Sequence, residues 1–170
     1  MSNPNFAKTV NLTIDRMIKE KVIPPFTTFD ITEEMLKRYV EIYGSFGGGA
    51  GNKKFNYGYA RKLAGLNILQ MKFYKGAKAK DCKEGMVYLI ANPVWPNHLK
   101  IGMTVDIDSR LDTYQTYDPY KRFYVKHYDF VLDRRSAEKK LLEDFNIHLV
   151  DGEWVKYSDS LEIIKVIRRY

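Results

Sequence analysis

The chain has 170 residues, with 28 Lys and Arg against 21 Asp and Glu and a single cysteine, Cys82. That length can hold one ample core or two small ones, and one cysteine excludes an internal disulfide and any multi-cysteine zinc site. No apolar run approaches the roughly 20 residues of a membrane span, and the opening MSNPNFAKTVNL lacks a charged-then-apolar secretion pattern, so the expected location is cytoplasmic.

The first half of the sequence reads as helical. Phe6, Val10, Ile14, Met17 and Ile18 form a helical stripe that ends before Pro24-Pro25. Asp30 with Glu33 three residues later has the form of a capping box, opening a helix that would bury Met35, Leu36, Tyr39, Val40 and Tyr43. Gly44 and Gly47-Gly48-Gly49 are expected to stop it, and the run through Gly51 reads as a flexible loop. A third helix is expected over residues 57–74, although Gly65 weakens it.

The charge is lopsided. Residues 1–84 hold 15 basic against 8 acidic side chains, whereas residues 85–170 hold 13 of each. Lys53, Lys54, Arg61, Lys62, Lys72, Lys75, Lys78, Lys80 and Lys83 fall in one stretch with a single acid, Asp81, interleaved with Phe55, Tyr57, Tyr59, Phe73 and Tyr74. Cations among aromatics suit phosphate contacts and base packing; a solvated lysine-rich connector is the plainer alternative. The boundary near residue 84 separates an expected helical, basic region, 1–84, from a second domain, 85–170.

The second domain opens on a hairpin. Residues 86–91 are a short apolar run bounded by Gly85 and Asn92-Pro93, and residues 99–103 form a second run. The intervening 92–97, with two prolines and Trp95, are too turn-rich to extend either strand. A loop centred near Val94 and Trp95 brings Tyr88 and Lys100 within one position of cross-strand pairing. A lysine beside a phenol favours the phenolate and would lower the tyrosine pKa from its usual value of about 10. An ordinary amphipathic hairpin, with Tyr88 in the core and Lys100 in solvent, fits the same residues.

Asp106 is a candidate N-cap for a helix whose Ile107, Leu111 and Tyr114 share a face. Arg110 and Tyr114, four apart, are neighbours on its surface. A strand is expected over 123–131, with a structural role for His127. Ser136 then opens a helix with an apolar arc of Leu141, Leu142 and Phe145. Glu138 lies at the centre of that arc, where a carboxylate is costly without a partner. It would be half of an ion pair with Arg110 or hold a metal ion. A strand over 154–157, with Trp154 as a core anchor, and a last helix capped by Asp159 or Ser160 and bearing Leu161, Ile163, Ile164 and Val166 complete the chain. The expected fold is α+β, a small mainly antiparallel sheet flanked by helices and preceded by a helical basic region. No Gly-x-Ser-x-Gly, Walker loop or dinucleotide fingerprint occurs, and the three histidines show no metal-ligand spacing.

Tyr88, the triplet Lys100-Ile101-Gly102, Arg110 eight residues after that glycine, Tyr114, Glu138 and the stretch Gly152-Glu153-Trp154 together resemble the GIY-YIG nuclease superfamily, in its phage and mobile-element branch. The likeness covers Gly85 to about Ser158, slightly under half of the chain. It implies metal-dependent hydrolysis of DNA phosphodiester bonds. In that reading Tyr88 helps to activate water, Lys100 acidifies it, Arg110 binds the scissile phosphate, Tyr114 assists proton transfer or contacts phosphate, and Glu138 holds Mg²⁺ or Mn²⁺. DNA is the implied partner, with no organic cofactor and no membrane. Met86-Val87 replace the first glycine and isoleucine of the motif, Lys100 replaces its second tyrosine, and its late asparagine has no secure counterpart, with Glu153 and Asn146 as candidates. Other expectations are an inactive nucleic-acid-binding module of the same fold or a protein-interaction domain.

Overall fold

A computed structural model describes residues 16–21, 24, 29–46, 57–156 and 160–169. The chain divides into two compact units, 1–82 and 83–170.

In the first unit, helix α1 spans Glu33–Phe46 and α2 spans Tyr57–Tyr74. Thr32, not Asp30, caps α1: its Oγ1 accepts from the Met35 amide at 3.3 Å and its carbonyl from Leu36 at 3.1 Å. Glu33 is thereby the first helical residue, free to reach α2, where Arg61 grips both carboxylate oxygens at 3.1 and 2.6 Å. Leu36, Tyr39, Val40 and Ile42 are buried, as are Ala60, Ala64, Ile68 and Leu69 of α2. Met35 is only half-buried, and α1 runs on through Gly44. α2 ends at Gly76, whose φ of +101° lets the Ala77 amide turn back to the Lys72 carbonyl at 2.9 Å. Of the expected N-terminal stripe, residues 16–19 are helical and Met17 is buried; Phe6, Val10, Ile14 and the glycine run 47–51 lie outside the described residues.

The second unit is a five-stranded antiparallel sheet in the order β3-β1-β2-β5-β4. The strands are β1 (Gly85–Ala91), β2 (His98–Thr104), β3 (Tyr124–Val131), β4 (Leu149–Asp151) and β5 (Trp154–Lys156). β1 is buried along its whole length, which is why it reads as a continuous apolar run instead of an alternating one. Helix α3 is Ile107–Gln115, α4 is Arg134–Asp144 and α5 is Ser160–Ile167. Alternation along the strands sends Val87, Leu89, Ala91, Leu99, Ile101, Val131 and Val155 to one face, under Ala137, Leu141 and Phe145 of the α4 region and Ile163 and Ile167 of α5. Tyr88 and Ile90 point to the other face, with Phe123, against Ile107, Leu111 and Tyr114. The α+β expectation, an antiparallel sheet with helices on it, holds.

Three details differ from expectation. α4 begins at Arg134, because Asp133 caps it by accepting from Ser136 N at 3.0 Å. Leu161 is 64% exposed, so the buried stripe of α5 is Ile163 and Ile167 instead. The hairpin register is shifted by one: Tyr88 lies opposite Gly102, and Lys100 opposite Ile90. Tyr88 and Lys100 therefore share a face as diagonal neighbours.

Candidate catalytic site

Tyr88 can lie flat on the sheet because Gly102 is opposite it. A β-carbon at position 102 would overlap the Tyr88 hydroxyl and ring, so the glycine is a steric requirement of the tyrosine. The ring is 2% exposed. Its hydroxyl meets that of Tyr114 at 3.1 Å, with the rings edge to face at 6.5 Å. Burial first, then the Tyr114 hydrogen bond, raises the Tyr88 pKa far above its ordinary value of 10; the Arg110 charge opposes this and Glu153 adds to it. The sequence-based expectation of an acidified phenol is therefore overturned. Lys100 has another partner.

That partner is Glu153. The Lys100 ammonium is 2.9 Å from Glu153 Oε2 and stands 5.9 and 5.7 Å from the centroids of Tyr114 and Trp154. A cation held by a carboxylate and two aromatic faces is well compensated. Glu153 arrives through a tight turn in which Gly152 takes a φ of +54°, and its carbonyl accepts from Ile101 N at 3.0 Å. Trp154 is half-buried on the Tyr88 face, packed with Trp95 and Phe123.

Glu138 belongs to α4, on the opposite side of the sheet, yet it joins this site. β5 pairs with β2 only at residues 98–100, leaving the β2 edge open beyond it. The Glu138 carboxylate accepts a hydrogen bond there from the Met103 amide. Burial and the neighbouring Glu153 charge raise its pKa above the ordinary 4.5, opposed by Met103, Lys100 and Arg110. Arg110 is exposed, one turn before Tyr114 on α3, which Asp106 caps as expected by accepting from Ser109 N at 3.1 Å. Arg110 acts on Glu138 through its field; among the described residues no ion pair joins the two.

Tyr88, Lys100, Arg110, Tyr114 and Glu138 are thus brought together, and Glu153 with them. Asn146, the other candidate for the late asparagine, is exposed in the short 3₁₀ turn Asn146–His148. Among the described residues no group of three or more His, Cys, Asp and Glu is placed to hold a metal ion. Mg²⁺ needs less: it is commonly held by one or two carboxylates, with water and substrate phosphate filling the rest. Glu138 fits that requirement, because its carboxylate is half-buried beside a second negative charge that a cation would relieve.

The basic residues of the first unit divide. Lys75, Lys78 and Lys80 are exposed. Lys62 is half-buried, and Arg61 is held by Glu33. Lys72 is a correction to the expected phosphate-binding set: it is buried and donates to the Phe29 carbonyl, with its ammonium 5.3 Å from the Phe29 ring centroid. Lys53 and Lys54 lie outside the described residues. Among the described residues no helix is long and apolar enough to cross a membrane.

No curated protein and no solved structure matches the chain. Residues 85–170, half of its length and the whole of the sheet with α3, α4 and α5, match the T5orf172 domain, a phage-associated domain linked to nuclease-like folds. The chain therefore belongs to the T5orf172 domain family.

Proposed function

We propose that this protein is a divalent-metal-dependent endonuclease that hydrolyses DNA phosphodiester bonds with a GIY-YIG arrangement of side chains. The observation that carries the reading is the meeting of a buried phenol bonded to a half-buried one, a free-standing guanidinium and a half-buried carboxylate at one place on the sheet.

Each group has a defined task. Arg110 is exposed and permanently charged, and its fork of donors matches two phosphate oxygens. Tyr88 is neutral at physiological pH, so it orients the attacking water as a hydrogen-bonding phenol. It can take a proton from that water only as its own passes to Tyr114, 3.1 Å away, and Tyr114 in turn releases its proton to solvent. Lys100, fixed by Glu153, supplies positive potential to the same face. Glu138 would hold Mg²⁺ or Mn²⁺, which when bound supplies positive charge for the phosphate and the departing oxygen. The exposed Lys75, Lys78 and Lys80 would contact the DNA backbone.

The test is incubation of supercoiled and linear DNA with the protein in Mg²⁺, in Mn²⁺ and in chelator. Cleavage that requires metal, falls roughly 10²–10⁴-fold in Tyr88→Phe and disappears in Glu138→Ala is the expected result. Tight binding without strand breaks in any metal overturns it and leaves a binding module.

A further inference from the structure

A second surface lies at the hairpin end of the same sheet, built from the loop over residues 92–97 and the loop that leads from α3 to β3. Five large side chains stand out of it. Tyr117 and Tyr120 are 80% and 75% exposed, and Val94, Trp95 and Tyr124 are about half exposed. Water-facing aromatics at this density, on two neighbouring loops, need an explanation.

The loops are not slack. The Asp118 carboxylate is buried and accepts from the amides of Tyr120 and Arg122 at 3.0 Å, from the Arg122 guanidinium twice at 3.0 Å, and from Asn92 Nδ2 at 3.1 Å. The Asn92 bond ties the two loops together. Asn92 Oδ1 accepts in turn from Val94 N at 3.0 Å, so the turn bearing Trp95 is fixed by the same network. Tyr117 and Tyr120 flank the buried carboxylate and are displayed by a rigid frame. Arg122 stacks on Tyr120, 4.7 Å from the ring centroid. Since Asp118 is matched by Arg122, Lys121 and Lys126 leave the surface positive.

Ring contacts join this surface to the catalytic groups. Trp95 meets Phe123 at 5.8 Å, Phe123 meets Tyr114 at 5.7 Å, and Tyr114 meets Tyr88 at 6.5 Å. Beside Trp95 and Tyr124, a hollow of about 230 Å³ is also lined by Asn97, His98 and Lys126. That is small beside the roughly 300–1,000 Å³ of pockets for drug-sized ligands, and it has room for one heterocycle.

We infer that the two tied loops are a stacking platform for unpaired bases of a DNA single strand, with Tyr117, Tyr120 and Trp95 as the faces and Lys121 and Lys126 against the backbone. The inference rests on the proposed nuclease reading for the identity of the strand as DNA. Stacking suits the residues present: every base has a π-face, and rigid exposed aromatics among cations bind single strands with little regard to sequence. Lysine is depleted from protein–protein interfaces, whereas here the exposed Lys121 and Lys126 stand among the rings. The protein would then prefer DNA with a single-stranded segment next to the cleaved bond.

The test uses the full chain and three probes of equal length: oligothymidylate, an abasic strand with the same backbone, and a blunt duplex. The platform predicts that oligothymidylate binds at least about tenfold tighter than the abasic strand. It also predicts that Tyr117→Ala with Tyr120→Ala removes that ratio, while Ile147→Ala, which deletes an equally exposed apolar side chain, leaves it. Equal affinity for the thymidylate and abasic strands overturns the platform. So does a concentration-dependent dimer that the double variant abolishes without base-dependent binding, because the tyrosines would then face a second copy. Plasmid cleavage run in parallel separates the two proposals. A protein that cuts DNA without base dependence loses only the platform, and one that binds bases but never cuts loses only the nuclease.

Discussion

At the scale of single residues, two positions, 102 and 138, decide what the site can do. Gly102 makes room for Tyr88, and the missing β-carbon is the reason that a bulky phenol can lie across an internal strand. Gly102→Ala should displace the ring, cost about 1–3 kcal/mol of stability from overpacking and lower cleavage with it. Urea denaturation and a plasmid assay measure both, and unchanged activity would show that Tyr88 need not lie where it does. Glu138 gives a signed pH effect. A carboxyl whose folded pKa is raised binds its proton more tightly in the folded state, so its contribution to stability falls as pH rises through the window above 4.5. Without metal, Glu138→Gln should therefore be more stable than the wild type at pH 7, and this advantage should vanish at pH 4. Chelator-treated samples unfolded at both pH values give the comparison, and a pH-independent difference would remove the ionised carboxylate as its cause.

At the scale of elements, the loop from α3 to β3 depends on one carboxylate. Arg122 first, with the Tyr120 and Arg122 amides and Asn92, holds the Asp118 pKa well below the ordinary carboxylate range. An acid whose folded pKa is depressed stabilises the fold in full at pH values above its unfolded pKa, and that contribution is lost progressively as the pH falls through its folded pKa. Asp118→Asn should lower the melting temperature at pH 7 by more than at pH 3, and should loosen the loop so that the Tyr120 amide exchanges faster. Scanning calorimetry and hydrogen exchange report on the two effects; an equal loss at both pH values would mean that shape and not charge matters there. The short β5 has a comparable leverage. By pairing with β2 over residues 98–100 alone it leaves the Met103 edge open, and Glu138 reaches the site from the far side of the sheet through that opening.

At the scale of the whole molecule, the positive charge lies outside the domain that bears the candidate site, since residues 1–84 carry all of the net excess. Reversing Lys75, Lys78 and Lys80 to glutamate in the full chain should weaken DNA binding and reduce the log–log salt slope by about two to three units. A titration from low to moderate salt tests this, and an unaltered slope would place the phosphate contacts elsewhere. Much of the fold was legible in the sequence. The helix over 57–74, the hairpin run 86–91, the Asp106 cap and the apolar arc of Leu141 and Phe145 follow from periodicity and local capping, which neighbouring residues in the chain control by themselves. The grouping of Tyr88, Lys100, Arg110, Tyr114 and Glu138 was legible only as a spacing that resembled a known family. Their interactions were decided by the tertiary structure. A one-residue change of register moved Lys100 from Tyr88 to Glu153, burial made the phenol less acidic where proximity alone suggested the reverse, and Lys72 turned inward to a backbone carbonyl. Register, burial and ion pairing depend on groups distant in sequence, so the chain determined which residues were available, and the packed sheet determined which of them meet.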